Sequence, residues 1–209
     1  MRQRAAIPFA TVLLLGCGLT GCVTGSGHST SASPTTGPAV STSAASPTPS
    51  PTPTALALPG GCDQLLPFTA LDQALGRPLF GETVYIKGQA EPSINRTGRV
   101  TCRFGIKRVK GKAGAAPLEV GVSSYTDADA ATRRVAATIS AARASGAAQT
   151  QATVAGGSAT ILSGPSGSTL VLAKDDRTIA VTVLPKVLKT GTAPTALAAV
   201  AELVLKNLP

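Results

Sequence analysis

The stretch that most limits what this chain can fold into is Ser46-Pro47-Thr48-Pro49-Ser50-Pro51-Thr52-Pro53-Thr54. It closes a segment of Ser, Thr, Pro, Gly and Ala that runs from Val23 to about Leu56. Such a composition buries too little apolar surface to offset the entropy of ordering, so disorder is expected there. The proline-alternating half favours extended polyproline II, at about 3.1 Å per residue, and reads as a spacer. Ser/Thr/Pro stalks are also acceptors of O-linked sugar. Folding is thereby confined to residues 58–209 of the 209-residue chain, which is enough for one domain with a proper core.

The spacer is preceded by a positive Met1-Arg2-Gln3-Arg4 and an apolar run from Ala5 to Leu15, the layout of a signal peptide. The run falls short of the roughly 20 apolar residues that a transmembrane helix needs. It closes on Leu19-Thr20-Gly21-Cys22, which resembles the bacterial lipoprotein box. The rival Leu14-Leu15-Gly16-Cys17 fits less well, because a bulky leucine sits two places before the cysteine. The resemblance implies that residues 1–21 are removed as a signal peptide and that Cys22 becomes a lipidated N-terminus. Residues 22–57 are then the anchored cysteine and its linker. Two or more acyl chains, palmitate among them, would hold the protein at the membrane, since one chain alone binds only marginally. The expected location is the extracytoplasmic face of the cell membrane. The plainer alternative is an ordinary secretory signal with a chance cysteine.

Four cysteines then divide by role. Cys17 leaves with the signal, Cys22 takes lipid, and Cys62 and Cys102 remain as a pair in an oxidising setting. A disulfide between them would contribute roughly 4 kcal/mol in the chain-entropy model. Two free thiols or a metal pair are the alternatives. A metal site needs more ligands than two cysteines, and the single histidine, His28, lies in the spacer.

Within 58–209, Thr69 can cap a short helix over 70–75 that Gly76 ends. Residues 83–87 read as a strand. Val100, Cys102, Phe104 and Ile106 alternate with Thr101, Arg103 and Lys107, so the second strand buries Cys102. Leu118, Val120 and Val122 repeat the period. Thr126 then caps the longest helix, with Asp127 and Asp129 in its first turn, a capping role. Its apolar stripe is Ala128, Ala131, Val135, Ile139 and Ala142, with Arg133, Arg134 and Arg143 off it, and Gly146 ends it. Strands are expected near 152–154, 159–162, 168–173 and 178–184, separated by turn signals at Gly156-Gly157, Gly164 to Gly167 and Asp175-Asp176. A last helix, capped by Thr192 or Ala193, aligns Leu197, Val200, Val204 and Leu208. The order predicts an α+β domain: a mainly antiparallel sheet with helices packed on it and one disulfide.

That layout is similar to a group of actinobacterial surface lipoproteins of unknown function, some with a PsbP-like α/β sandwich. It rests on the order of a cysteine, a short Gly-ended helix, a strand with a second cysteine, a strand, a long helix after a tyrosine, hairpins and a C-terminal helix. The resemblance covers about residues 60–209. It implies the fold and the location and brings no catalytic residue.

Several chemistries are excluded. Without histidine in the domain, Ser-His-Asp and Cys-His systems cannot form within one chain. No glycine-rich turn carries a P-loop ending or dinucleotide-site spacing. Asp175-Asp176 is the only adjacent acid pair, and neighbours in a tight turn point apart. No catalytic residue, metal or cofactor is assigned, and the chain is read as a non-enzyme.

What remains is charge. Arg96, Arg99, Arg103, Lys107, Arg108, Lys110 and Lys112 fall between Pro92 and Pro117 with no acid interspersed. Such a patch attracts polyanions such as wall polymers or anionic lipid headgroups. The bland alternative is a solvated strand and loop. Nucleic acid is disfavoured, because this domain nearly lacks the aromatic platforms on which single strands stack. The expected function is a lipid-anchored envelope domain that binds a ligand or partner without catalysis. A small histidine-free hydrolase and a structural subunit of a membrane complex are the alternatives.

Overall fold

A computed structural model describes residues 57–185, 187–188 and 192–209. The signal segment, Cys22, His28 and the spacer up to residue 56 lie outside the described residues. All described residues belong to a unit that begins at Ser50.

Two short helices come first, α1 (Cys62–Leu65) and α2 (Phe68–Leu75), followed by strand β1 (Glu82–Gly88). After a 3-10 turn at Pro92–Ile94 come β2 (Arg96–Ile106), the small hairpin β3 (Arg108–Val109) and β4 (Lys112–Ala113), and β5 (Leu118–Tyr125). Helix α3 (Ala128–Ala144) leads into β6 (Ala148–Val154), β7 (Gly157–Gly164), β8 (Gly167–Lys174) and β9 (Arg177–Val183), and α4 (Ala193–Asn207) follows. One antiparallel sheet holds seven strands in the order β1-β2-β5-β9-β8-β7-β6. The α+β architecture follows the expected order of elements. Helix α2 begins earlier than the sequence suggests, at Phe68 after Pro67, and ends as expected at Gly76 with φ 65°.

The two faces of the sheet differ because successive strand residues point to opposite sides. On one face Val100, Cys102, Val120, Val122, Leu170, Leu172, Ile179 and Val181 meet Leu197, Val200 and Val204 of α4 in a single core. Each fully buried aliphatic side chain there contributes about 1.5–3 kcal/mol of transfer free energy. Helices α1 and α2 complete that layer through Leu65, Leu66 and Leu71. The Cys62–Cys102 disulfide ties α1 to the centre of β2, with Cα atoms 5.6 Å apart and a sequence separation of 40.

The opposite face carries Gly121, Ser123, Thr178, Ala180 and Ala173, and α3 lies over it. Only Ala130 and Ala131 of α3 are fully buried. Val135, Ile139 and Ala142 are half-buried, and Ala128, which the helical stripe would have buried, is exposed. The N-cap is Asp127, one residue after the expected Thr126. Its Oδ1 accepts from Ala130 N–H at 2.7 Å, and the Thr126 hydroxyl donates to its Oδ2 at 2.9 Å.

The sheet also has two distinct ends. At one, Arg177 is 4% exposed and clamps the domain closed. Its guanidinium donates to the Pro209 carbonyl at 2.9 Å and to the Ala57 carbonyl at 3.2 Å. At the other, Phe104, Leu118 and Val183 are aligned across β2, β5 and β9, and the β3–β4 hairpin continues beyond them.

Candidate functional site

The seven cations singled out in the sequence separate into two groups along β2. Cross-strand partners share a face. Arg99 pairs with Ser123 and Arg103 with Glu119, so both lie on the α3 side. Arg96 is three residues from Arg99, and strict alternation would send it to the other face. A bulge between Arg96 and Gly98 shifts the register, and Arg96 instead pairs with Tyr125 on the α3 side.

Arg96 and Arg99 thus reach the edge of α3, where Arg134 meets them. Together they line a cleft of about 160 Å³ with Ser123, Thr138 and Thr178. Arg99 spans Gly121, where an added Cβ would lie 3.6 Å from its guanidinium, and its Nε donates to the Thr101 hydroxyl at 3.2 Å. Arg96 makes an ion pair with Glu91 at 2.7 Å, and its side chain is 15% exposed. Its Nε is buried without a hydrogen-bond partner among the described residues. No carboxylate lines the cleft. Arg103 lies farther along the strand and is neutralised by Glu119 at 2.8 Å.

The second group sits on the hairpin. Lys110 and Gly111 form its turn, with φ of 52° and 77°. Arg108 donates through Nε to Glu82 at 2.7 Å. That bond holds the Glu82 carboxyl below its usual range and raises the Arg108 guanidinium. Lys107, Lys110 and Lys112 are exposed and form no ion pair with a described residue. Val109, between them, is 67% exposed. Phe80, 73% exposed, precedes β1 and lines a cleft with the end of α2 and the start of α4, and Gly81 after it crosses so close to Gly105 that a Cβ would sit 2.5 Å from its carbonyl carbon. Phe68, also exposed, sets its ring edge-on to Phe104 with centroids 6.3 Å apart.

The acids are dispersed. Glu82, Glu91 and Glu119 pair with arginines, and Asp127 caps α3. The Asp127 carboxyl is held below its ordinary range, chiefly by the Ala130 N–H. Asp72 accepts from Leu79 N–H, Glu202 accepts from Ala155 N–H, and Asp175 and Asp176 form the β8–β9 turn. No group of His, Cys, Asp and Glu among the described residues could hold a metal ion.

Two residues with consequences were not evident in the sequence. Arg134 lies off the apolar stripe of α3 and gains its role only from where that helix crosses the sheet. Arg177 continues the alternation of Ile179, Val181 and Val183, so a signal for its burial was present. Comparison with known proteins finds no family model that matches the chain and no matching curated protein.

Proposed function

We propose that this protein is a lipid-anchored envelope domain that binds anionic lipid headgroups through its β3–β4 hairpin, without catalysis. The observation that carries the reading is the composition of the hairpin and its approach: Lys107, Lys110 and Lys112 form no ion pair with a described acid, and Val109 is exposed among them. Ammonium groups attract an anionic surface, and the adjacent apolar side chain enters the headgroup boundary. A wall polymer would use the charges and leave Val109 idle, which is why lipid is favoured. The lipoprotein box at Leu19 to Cys22 supports the anchor, and the dispersal of the acids supports a non-catalytic role.

The anchor is tested by metabolic labelling with an alkyne fatty acid: Cys22→Ala should lose the label and be released from membranes. The surface is tested by co-sedimentation of the unlipidated Cys22→Ala chain with phosphatidylglycerol vesicles over a salt series. Lys107→Gln, Lys110→Gln and Lys112→Gln together should abolish salt-sensitive binding, and Val109→Ser should weaken what remains. Equal binding by the triple variant would sink the hairpin reading. Binding to soluble teichoic-type polymer but not to vesicles would replace lipid by wall polymer.

A further inference from the structure

The cleft beneath α3 is a separate feature from the hairpin, at the other end of β2, and holds the more specific chemistry. Arg96 and Arg99 come from β2 and Arg134 from α3, and a β-bulge is needed to put the first two on one face. Guanidinium groups are donors only, with five N–H bonds each in a planar fork. Ser123, Thr138 and Thr178 add hydroxyls to the lining, and no acid enters it. Glu91 answers Arg96 from outside the cleft, while Arg99 and Arg134 have no carboxylate partner among the described residues. The Nε of Arg96 is buried without a hydrogen-bond partner among the described residues.

We infer that this cleft binds one tetrahedral oxyanion, a phosphate or the phosphoryl group of a phosphomonoester. The donor inventory selects it. A carboxylate brings two acceptor oxygens in one plane. A phosphoryl group brings three or more, directed in three dimensions, and matches guanidiniums that approach from the sheet and from the helix. The volume of about 160 Å³ admits one such group. Arg134 stands on α3, whose contact with the sheet is made by small residues, so the anion would also fasten the helix to β2.

The test is isothermal titration of the unlipidated Cys22→Ala chain with inorganic phosphate, against acetate at matched ionic strength. Phosphate should saturate at one site per chain and acetate should not. Arg134→Ala keeps a good helix former at an exposed helix position, so it should fold with an unchanged circular dichroism spectrum and bind phosphate at least tenfold more weakly. Arg99→Lys, which keeps the charge and loses the fork, should also weaken it. A parallel arm with glycerol 1-phosphate separates the sources: binding as tight as phosphate points to a phosphoryl group on an organic carrier, and preference for inorganic phosphate points to the free ion. No saturable binding in either arm, or wild-type binding by Arg134→Ala and Arg99→Lys together, overturns the inference. Neither result bears on the hairpin, because Lys107, Lys110 and Lys112 lie outside the cleft.

Discussion

The two ends of β2 carry similar numbers of cations and differ in almost everything else. At one end Arg96 and Arg99 are half-buried, fixed by a bulge, by Glu91 and by Thr101, and met by Arg134 from a helix. At the other, Lys107, Lys110 and Lys112 are solvated along a small hairpin beside exposed Val109. Charge density along a sequence is thus a poor guide to recognition. Preorganised donors in a small volume suit a discrete anion. Mobile ammonium groups on a surface suit a field of negative charge, and screening by salt weakens them most.

Both ends depend on β2 staying in place, so the largest effect should come from its tie to α1. Cys62→Ala with Cys102→Ala should lower unfolding free energy by about 4 kcal/mol in the chain-entropy model, read by urea denaturation. Both anion-binding activities should fall together in that variant, which would blur the contrast between them. Arg177→Met comes next. It removes two hydrogen bonds from a charged donor that close the domain where Ala57 and Pro209 meet, and should cost about 2 kcal/mol. Because the clamp lies at the cleft end of β2, phosphate binding should suffer more than vesicle binding.

Smaller effects sharpen the comparison. Raising salt should weaken vesicle binding steeply and phosphate binding in the cleft much less, in parallel titrations of one preparation. The smallest effect concerns acid. The Asp127 carboxyl is held below its ordinary value of 3.8 by the Ala130 N–H, so it contributes stability that is fully present above that value. The contribution is lost as pH falls through the lowered folded value. Asp127→Asn keeps the cap without the titration, and a plot of melting temperature against pH should be flatter on its acid side. An unchanged acid limb would show that the carboxylate bonds add nothing to α3.

The fold was largely legible because its signals are local. Period-2 alternation marked Val100 to Phe104 and Leu118 to Val122, glycine and aspartate pairs marked the turns, and Cys62 and Cys102 could pair. The site was legible only in part. The run from Arg96 to Lys112 could be seen as positive, but not as two regions, since that division depends on a bulge and on a hairpin turn. Glu82, Glu91 and Glu119, which neutralise three of the arginines, come from outside the run or from another strand. Arg134 is invisible to any pattern along α3, because its role arises from the angle at which the helix crosses the sheet. Arg177 was hidden by the acidic turn before it, although its spacing from Ile179 was that of a buried position.

The most direct test of a divided cationic surface is an NMR titration of the isotope-labelled, unlipidated Cys22→Ala chain, following backbone amides and arginine Nε–H signals. Phosphate should shift Arg96, Arg99, Ser123 and Arg134 and leave Lys107 to Lys112 unmoved, while phosphatidylglycerol nanodiscs should broaden the hairpin and spare the cleft. If each ligand perturbs both sets alike, the two ends of β2 form one undifferentiated basic surface and the account is wrong.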